Sequence, residues 1–192
     1  MTLGRRATAG GVRVGLGVHG KTAVSTWGDS GPGLEAMRGL AKRGVRVIGL
    51  ARTSEKARRA CDSVHGETTP LACELSDLAS VRDCANVIQG MGMPIDILMT
   101  NAGIMAPRQL SLANGVEMQF ATNHLGHFVL VHHLLEQVKR APAGRVVVLS
   151  SAAHTMPVSG GIDFENLDAS RGYGPWRFYG QSKLANLLHA KE

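Results

Sequence analysis

Short runs of apolar, mostly β-branched residues alternate along this chain with longer segments in which apolar residues recur at helical spacing. The runs that predict strands cover residues 23–26, 45–50, 71–75, 95–100 and 145–150. The segments that predict helices cover residues 33–43, 76–89 (with Ser76 or Asp77 as the cap), 120–139 and 176–192. Strands and helices in this order form right-handed β-α-β units. The expected fold class is therefore α/β, with a doubly wound parallel sheet.

The length and composition of the chain fit one domain of this kind. Its 192 residues are 44% hydrophobic and 19% charged, which argues against a disordered chain. No apolar run approaches the roughly 20 residues that a membrane-spanning helix needs. We interpret residues 1–19 as a loose leader and residues 20–192 as the folded domain. Arg5 and Arg6 precede no continuous apolar stretch, so no export signal is predicted and a cytoplasmic location is expected.

Charge and potential metal ligands indicate neither nucleic acid nor a metal. The net charge is +6, but no basic run is interleaved with aromatic residues, and a phosphate-bearing small ligand suits this charge equally well. The three cysteines include no C-x-x-C pair and predict free thiols. Four histidines share the long predicted helix, and their spacing favours packing or exposure over a metal site: His124, His127, His132 and His133.

Two glycine-rich stretches compete as a phosphate-binding loop. Residues 15–22 match the P-loop spacing G-x-x-x-x-G-K-T, with Lys21 as its lysine, and would suit an ATP-binding protein. A P-loop must lead into a helix whose N-terminal amides bind phosphate, whereas Lys21 leads into a predicted strand. Residues 26–33 lie between the first strand and the first helix, where glycines would let the backbone approach a pyrophosphate. We therefore favour the second stretch, and we interpret residues 20–192 as a Rossmann-like, dinucleotide-binding domain.

Arg52, at the end of the second predicted strand, indicates which nicotinamide cofactor such a loop would serve. Dinucleotide-binding folds place the residue that reads the ribose about 20 residues beyond the glycine loop, and an acid there binds the hydroxyls of NAD. A guanidinium instead offers a bidentate partner for the 2′-phosphate of NADP. NADP is therefore the expected cofactor, with NAD less favoured.

Tyr179 and Lys183 lie four residues apart on the last predicted helix and so share one face. A free phenol has a pKa of about 10, but a neighbouring ammonium stabilises the phenolate and lowers that pKa. The pair could therefore act in general acid/base catalysis. Other polar residues stand at strand ends, where open α/β sheets bind ligands, or near the start of the long helix: Asn101, Asn123, Ser150 and Ser151.

These motifs, in this order, resemble the short-chain dehydrogenase/reductase family across nearly the whole chain, from Gly20 to Glu192. The strings TNAGIMAP, TNHLGHFVL, VVLSSAAH and YGQSKLANLL are similar to its retinol-dehydrogenase-like branch and the bacterial relatives of that branch. The resemblance implies an oxidoreductase that transfers a hydride between NADP(H) and a small-molecule carbonyl/alcohol substrate. It also implies a homodimer through the long and last helices. Phe164, Tyr173 and Trp176, in the link before Tyr179, favour an apolar substrate.

The resemblance also assigns roles to individual residues. Tyr179 would be the general acid/base, Lys183 would lower its pKa and bind the nicotinamide ribose, and Ser151 would polarise the substrate carbonyl. Asn123 would hold a water that links Lys183 to solvent. The implied cofactor-binding residues are Thr26, Gly28, Ser30, Gly31, Gly33, Arg52, Glu74, Asn101, Ala102, Gly103, Tyr179 and Lys183.

The chain departs from the family pattern at several points. Trp27 stands where the family has its first glycine and would crowd the turn unless Gly28 takes over that role, and Pro32 removes a backbone donor. Glu74 stands where an aspartate usually binds the adenine. The family continues with further strands after the last helix, so the fifth strand is expected to form an edge. These departures support an alternative: a catalytically inactive, truncated nucleotide-binding or interaction domain.

Overall fold

The computed structural model describes residues 17–27, 32–156 and 160–192. In chain order, the strands of these segments are β1 (Thr22–Thr26), β2 (Arg46–Ala51), β3 (Thr68–Ala72), β4 (Ile97–Thr100), β5 (Leu112–Ala113), β6 (Val116–Glu117) and β7 (Arg145–Val148). The helices are α1 (Pro32–Ala41), α2 (Ser54–Asp62), α3 (Leu78–Gly90), α4 (Met118–Phe120), α5 (Gly126–Lys139) and α6 (Pro175–His189). A π-helical stretch, Ala121–Leu125, joins α4 to α5, and 3₁₀ turns at Ala152–Thr155 and Phe164–Asn166 lie between β7 and α6.

Within the described ranges, the larger sheet is parallel, with the strand order β3-β2-β1-β4-β7. Thr26 at the end of β1 lies opposite Leu50 in β2 and opposite Thr100 in β4. The strand order reverses between β1 and β4, and open α/β sheets bind ligands beside such a reversal, at the carboxyl ends of the strands. The expected doubly wound parallel sheet is thereby confirmed, with β3 and β7 as its edges.

Helices cover both faces of this sheet. On one face, α1 and α2 pack against β1 and β2, and Met37 is buried with Ala23. On the other face, α3 and α5 pack against the same strands, and Leu130 and Leu134 are buried with Val24. Neighbouring residues of β1 therefore belong to opposite layers, as the alternation of side chains along a strand requires.

Most predicted elements agree closely with the observed ones. Asp77 is the cap of α3, because its Oδ1 accepts a hydrogen bond from the backbone N–H of Ala79 (2.9 Å). The fifth predicted strand corresponds to β7, which ends at Val148 rather than at Ser150. The Ser150 hydroxyl bonds to α6 instead. The long predicted helix is α4, the π-helical stretch and α5 in succession.

The third strand begins at Thr68 rather than at Leu71, and the predicted range of residues 71–75 is wrong. β3 is an edge strand that is only half-buried and contains Pro70, which the unpaired side of an edge tolerates. The apolar residues that suggested a later strand lie partly beyond its end, where Cys73 and Leu75 join the core.

The sequence analysis does not predict α2 or the β5-β6 hairpin. α2 is mostly charged and buries only Ala57 and Cys61, so its apolar periodicity is weak. The hairpin strands are two residues each. Its turn carries a recognisable signal, because Asn114 and Gly115 both have positive φ (52° and 79°), as the tightest hairpin turns require.

The described part of the first glycine-rich stretch does not have P-loop structure. Nζ of Lys21 pairs with Oδ1 of Asp96 (3.4 Å), and the chain then enters β1 directly. Lys21 therefore lies at the opposite end of β1 from Thr26, and no helix follows it. The ATP-binding hypothesis for residues 15–22 is wrong.

Three further findings concern the described residues as a whole. Cys61, Cys73 and Cys84 are buried free thiols, as predicted. No helix within the described ranges is long and apolar enough to cross a membrane. Within the same ranges, no three His, Cys, Asp or Glu side chains form a group that could hold a metal ion.

Candidate active site

The hydroxyl of Thr26 joins three segments at the carboxyl end of the sheet. Its Oγ1 accepts hydrogen bonds from the backbone N–H groups of Asn101 (3.0 Å) and Ala102 (3.1 Å), in the loop after β4. It also lies 2.8 Å from Nε2 of His127 on α5. The structure thus brings the predicted residues Thr26, Asn101 and Ala102 into direct contact, and the Thr26 hydroxyl holds the main chain of the loop.

Asn123 lies in the π-helical stretch, and its side-chain amide is bonded on both sides. Oδ1 accepts from the backbone N–H of Ile104 (2.9 Å), and Nδ2 donates to the Ile104 carbonyl (3.0 Å) and to Oγ of Ser182 (3.0 Å). The main-chain carbonyl of Asn123 accepts from Nδ1 of His127 (2.9 Å). Asn123 therefore connects the loop after β4 to α6, and π-helical turns of this kind are frequent at functional sites.

Lys183 and Tyr179 share one face of α6, as predicted. Nζ of Lys183 lies 5.8 Å from the centroid of the Tyr179 ring and donates to the Leu149 carbonyl (3.1 Å). The Lys183 side chain is buried, and this burial lowers its pKa. Asn186, nearly one turn further along the helix, donates to the same carbonyl (3.1 Å). A buried ammonium beside a phenol ring can stabilise the phenolate.

The two serines after β7 differ in what they contact. Oγ of Ser150 donates to the main-chain carbonyl of Lys183 (2.7 Å) and so ties the strand end to α6. Oγ of Ser151 accepts from the backbone N–H of Ala153 (3.2 Å) and caps a 3₁₀ turn. Because Ser151 acts as an acceptor in that bond, its hydroxyl hydrogen can be donated to a ligand.

A cavity of about 340 Å³ opens at this end of the sheet. Predicted cofactor-binding residues that line it are Thr26, Arg52, Glu74, Ala102 and Gly103. Tyr179, Lys183 and Ser151 are not part of its wall. A Cβ placed on Gly103 would lie 3.6 Å from Nζ of Lys183, however, so the lysine lies directly behind that wall.

Arg52 and Glu74 meet at the cavity. Nε of Arg52 lies 3.4 Å from Oε2 of Glu74, and Oε1 of Glu74 accepts from the backbone N–H (3.1 Å) and the hydroxyl (2.8 Å) of Ser76. The Arg52 side chain remains 63% exposed. Its guanidinium can therefore reach a ligand in the cavity while the carboxylate holds it near the rim.

Two glycines of the predicted site have no room for a side chain. A Cβ on Gly103 would lie 3.0 Å from Oδ1 of Asn123. A Cβ on Gly33 would clash with Nδ2 of Asn101 and lie 2.9 Å from Cβ of Trp27. The other predicted loop residues, Gly28, Ser30 and Gly31, lie outside the described residues.

Trp27 turns into the core beside the cavity. Its side chain is buried, and its six-membered ring lies against Gly49 of β2, where any Cβ would overlap it. The indole therefore points into the core, where the absence of a side chain at Gly49 leaves room for it. Its Nε1 is buried and has no hydrogen-bond partner among the described residues.

Sequence reasoning misses several residues of the site, among them Met118, Thr122 and His127. Met118 and Thr122 line the cavity, and they are carried there by α4 and the π-helical stretch, which follow the unpredicted hairpin. His127 is buried among site residues, although the sequence analysis treats it only as one of four histidines on a helix. Its position four residues after Asn123 puts both residues on one helix face, and this spacing could have placed His127 in the site.

Comparison with known proteins assigns the chain to a family. The sequence profile described as short chain dehydrogenase matches residues 21–164. The chain belongs to the short-chain dehydrogenase family. Proteins of this family are oxidoreductases that bind nicotinamide cofactors.

Individual relatives agree with the branch that the motifs indicate. The chain is 40% identical to the chloroplastic short-chain dehydrogenase TIC 32 B of Brassica napus, over 97% of this chain and 62% of that protein. It is 38% identical to human retinol dehydrogenase 13, over 91% of this chain and 54% of that protein. A solved structure of an uncharacterized protein from Mycobacterium paratuberculosis is 40% identical and superposes with a TM-score of 0.76, over 88% of this chain and 60% of that one. The resemblance to the retinol-dehydrogenase-like branch is confirmed.

Proposed function

We propose that this chain is an NADP(H)-dependent oxidoreductase that transfers a hydride between its cofactor and a small-molecule carbonyl/alcohol substrate. The observation that carries the proposal is the position of Lys183. Its buried Nζ lies beside the ring of Tyr179 and directly behind Gly103 at the cavity wall. A group that can lower the pKa of a phenol thus adjoins a cavity suited to a cofactor.

The residues around the cavity fit a dinucleotide. Thr26, Ala102 and Gly103 form part of the cavity wall, and the hydroxyl of Thr26 holds the adjoining loop in place. The exposed guanidinium of Arg52 would bind a 2′-phosphate through charge-assisted hydrogen bonds, and Glu74 would face the adenosine. When bound, the nicotinamide supplies or accepts the hydride.

The protein's own groups would move the proton. In the reducing direction, Oη of Tyr179 would donate its proton to the substrate oxygen as the carbonyl becomes an alcohol, and the Lys183 ammonium would stabilise the phenolate that remains. Ser151 would donate a hydrogen bond to the same oxygen. In the oxidising direction, the Tyr179 phenolate would accept the proton of the alcohol.

Aromatic side chains around Tyr179 support an apolar substrate. The ring of Trp176 lies 6.0 Å from that of Tyr179, nearly perpendicular to it, and is half-exposed. The Tyr173 hydroxyl donates to the Pro107 carbonyl (2.7 Å), so that its polar end is already satisfied. An apolar substrate would gain buried area against these rings.

A homodimer through α5 and α6 is part of the proposal. Phe128 on α5 and Leu188 on α6 are both half-exposed, and the Phe128 ring lies 5.0 Å from that of His189. Apolar side chains clustered in this way at the surface suit an interface. In sedimentation experiments, we expect Phe128→Asp to shift a dimer to a monomer and Phe164→Asp, at another exposed phenylalanine, to leave the dimer intact. A monomeric unmodified chain at micromolar concentration would contradict this.

The activity can be tested by following NADPH consumption with a panel of apolar aldehydes and ketones. We expect turnover of at least one member by the unmodified chain and turnover at least about a hundredfold lower by Tyr179→Phe. Cofactor binding without turnover of any member would instead support the alternative, a catalytically inactive nucleotide-binding domain.

A further inference from the structure

His127 is a buried, doubly hydrogen-bonded histidine to which the proposed chemistry assigns no role. It lies in the first turn of α5 and is 1% exposed. Its Nδ1 is 2.9 Å from the main-chain oxygen of Asn123, and its Nε2 is 2.8 Å from Oγ1 of Thr26. Both partners belong to the site, one at the end of β1 and the other in the π-helical stretch.

The partners of the ring determine where its proton lies. A carbonyl oxygen only accepts hydrogen bonds, so Nδ1 must carry the hydrogen that bonds to Asn123. In a neutral ring Nε2 is then an acceptor, and the hydroxyl of Thr26 donates to it. The oxygen of that hydroxyl keeps its two lone pairs for the N–H groups of Asn101 and Ala102. Every polar group in this network is satisfied in one orientation only.

The network controls the loop that forms one wall of the cavity. Thr26 holds the loop at Asn101 and Ala102, and Asn123 holds it at Ile104 through both atoms of its amide. His127 contacts both of these anchoring residues. The cavity is lined by Ala102, Gly103 and Ile104. A change in the orientation of Thr26 or Asn123 would therefore displace this part of the wall.

We propose that His127 is a positioning residue for cofactor binding: as a neutral ring it orients the Thr26 hydroxyl and the Asn123 main chain, and so holds the loop of residues 101–104 in its binding conformation. The inference rests on the proposed function, because it concerns the same cavity. His127 itself does not line the cavity, so it acts through its two partners.

The surroundings of His127 keep the ring neutral. It is completely buried, and this burial lowers its pKa from 6.5 to about 4; the charge of Lys183 and the neighbouring rings of His124 and His189 act in the same direction, while the bond to Asn123 opposes them. A protonated ring would carry a hydrogen on Nε2 and could no longer accept from Thr26. The Thr26 hydroxyl would then have to rotate and give up a loop amide.

Matched substitutions at two histidines of α5 test the proposal. His127→Phe keeps a ring of similar size and removes both hydrogen bonds. His127→Gln places an amide oxygen near the position of Nε2, where it can accept from Thr26. His132→Phe is the control: it also replaces a histidine by phenylalanine, but at an exposed position of the same helix. The readout is the Kd for NADPH, measured by fluorescence titration of the full chain.

We expect His127→Phe to raise the Kd at least tenfold, His127→Gln to restore it to within about threefold of the unmodified chain, and His132→Phe to leave it unchanged. Thr26→Val should raise the Kd, and adding His127→Phe to it should raise the Kd by a smaller factor than His127→Phe does in the unmodified chain, because the two residues share one hydrogen bond. Equal affinity of His127→Phe and the unmodified chain for NADPH would overturn the role of His127 and leave the proposed function intact. So would equally poor binding by the Phe and Gln variants.

Two other results are decisive. If the unmodified chain binds neither NADPH nor NADH, the proposed function fails and the inference fails with it. If His127→Phe does not fold, the test is the tautomer of His127 in the unmodified chain, measured from its imidazole ¹⁵N chemical shifts. We expect a hydrogen on Nδ1 and none on Nε2. Hydrogen on Nε2 would overturn the inference, because Thr26 would then have no acceptor.

Discussion

The indole of Trp27 occupies the space that the missing side chain of Gly49 leaves on the neighbouring strand. A Cβ on Gly49 would overlap Cη2 of Trp27 and crowd the carbons on either side of it. Trp27 directly follows β1, and Gly49 lies within the neighbouring strand β2. A large residue at the start of the glycine loop is therefore compatible with this fold because a glycine faces it.

Gly49→Ala should destabilise the protein by about 1–3 kcal/mol, as overpacking of a filled core does. Chemical denaturation measures the loss, with Gly90→Ala as the control, since a Cβ on Gly90 meets no atom within 4 Å. The control should leave the free energy of unfolding unchanged or raise it by up to about 1 kcal/mol, because alanine favours the helix more than glycine does. Combining Gly49→Ala with Trp27→Leu should cost less than the sum of the single changes. Additive losses would show that the two residues do not share this space.

Tyr179→Phe should lower turnover at least about a hundredfold, the lower range of what general acid/base catalysis contributes. Cofactor binding should change little, because the ring and its neighbours remain. Steady-state kinetics and NADPH titration measure the two effects separately. Tyr173→Phe is the control: it removes the hydrogen bond to Pro107 and should cost about 1 kcal/mol of stability while most of the turnover remains. Undiminished turnover in Tyr179→Phe would exclude the phenol as acid or base.

Burial of His127 should make the free energy of unfolding depend on pH. Its pKa of about 4 in the folded chain lies below the ordinary 6.5, so between these values the unfolded chain binds a proton that the folded chain does not. Stability from this residue is therefore complete above pH 6.5 and is lost as the pH falls toward 4, by about 3 kcal/mol in all. His124 and His189 have pKa values lowered by burial and act in the same direction.

The contribution of His127 is isolated by subtraction. Urea denaturation of the unmodified chain and of His127→Phe between pH 4 and 7.5 should give curves whose difference changes across this window. His132→Phe, the matched control, should keep the loss of stability that the unmodified chain shows across this window. A difference that does not vary with pH would contradict the buried, neutral state of His127.

Periodicity and motif position allow much of this fold to be predicted. Tyr179 and Lys183 share a helix face because they are four residues apart, and Thr26 and Asn101 meet because parallel strands end at one edge of a sheet. These relationships follow from local spacing. The charged helix α2 escapes prediction because Ala57 and Cys61 are its only buried side chains.

Other relationships depend on three-dimensional packing between distant segments. Nothing near Trp27 in the sequence indicates that Gly49 receives its ring. Gln119 is buried in a segment with no helical or strand periodicity, yet it accepts from the N–H of Ala106 (2.7 Å) and donates to the Pro175 carbonyl (3.1 Å). The role of His127 likewise depends on Thr26, which lies far from it along the chain. Polar residues that join distant segments leave no periodic pattern.

The most direct test of the account is a fluorescence titration of the full chain with NADPH and with NADH, repeated for Arg52→Gln and for Arg58→Gln. We predict that the unmodified chain binds NADPH at least about tenfold more tightly than NADH, a difference of about 1.4 kcal/mol that one charge-assisted contact can supply. Arg52→Gln should abolish this preference, and Arg58→Gln, at an exposed arginine of α2, should keep it. Equal affinity of the unmodified chain for the two cofactors, or no binding of either, would contradict the account.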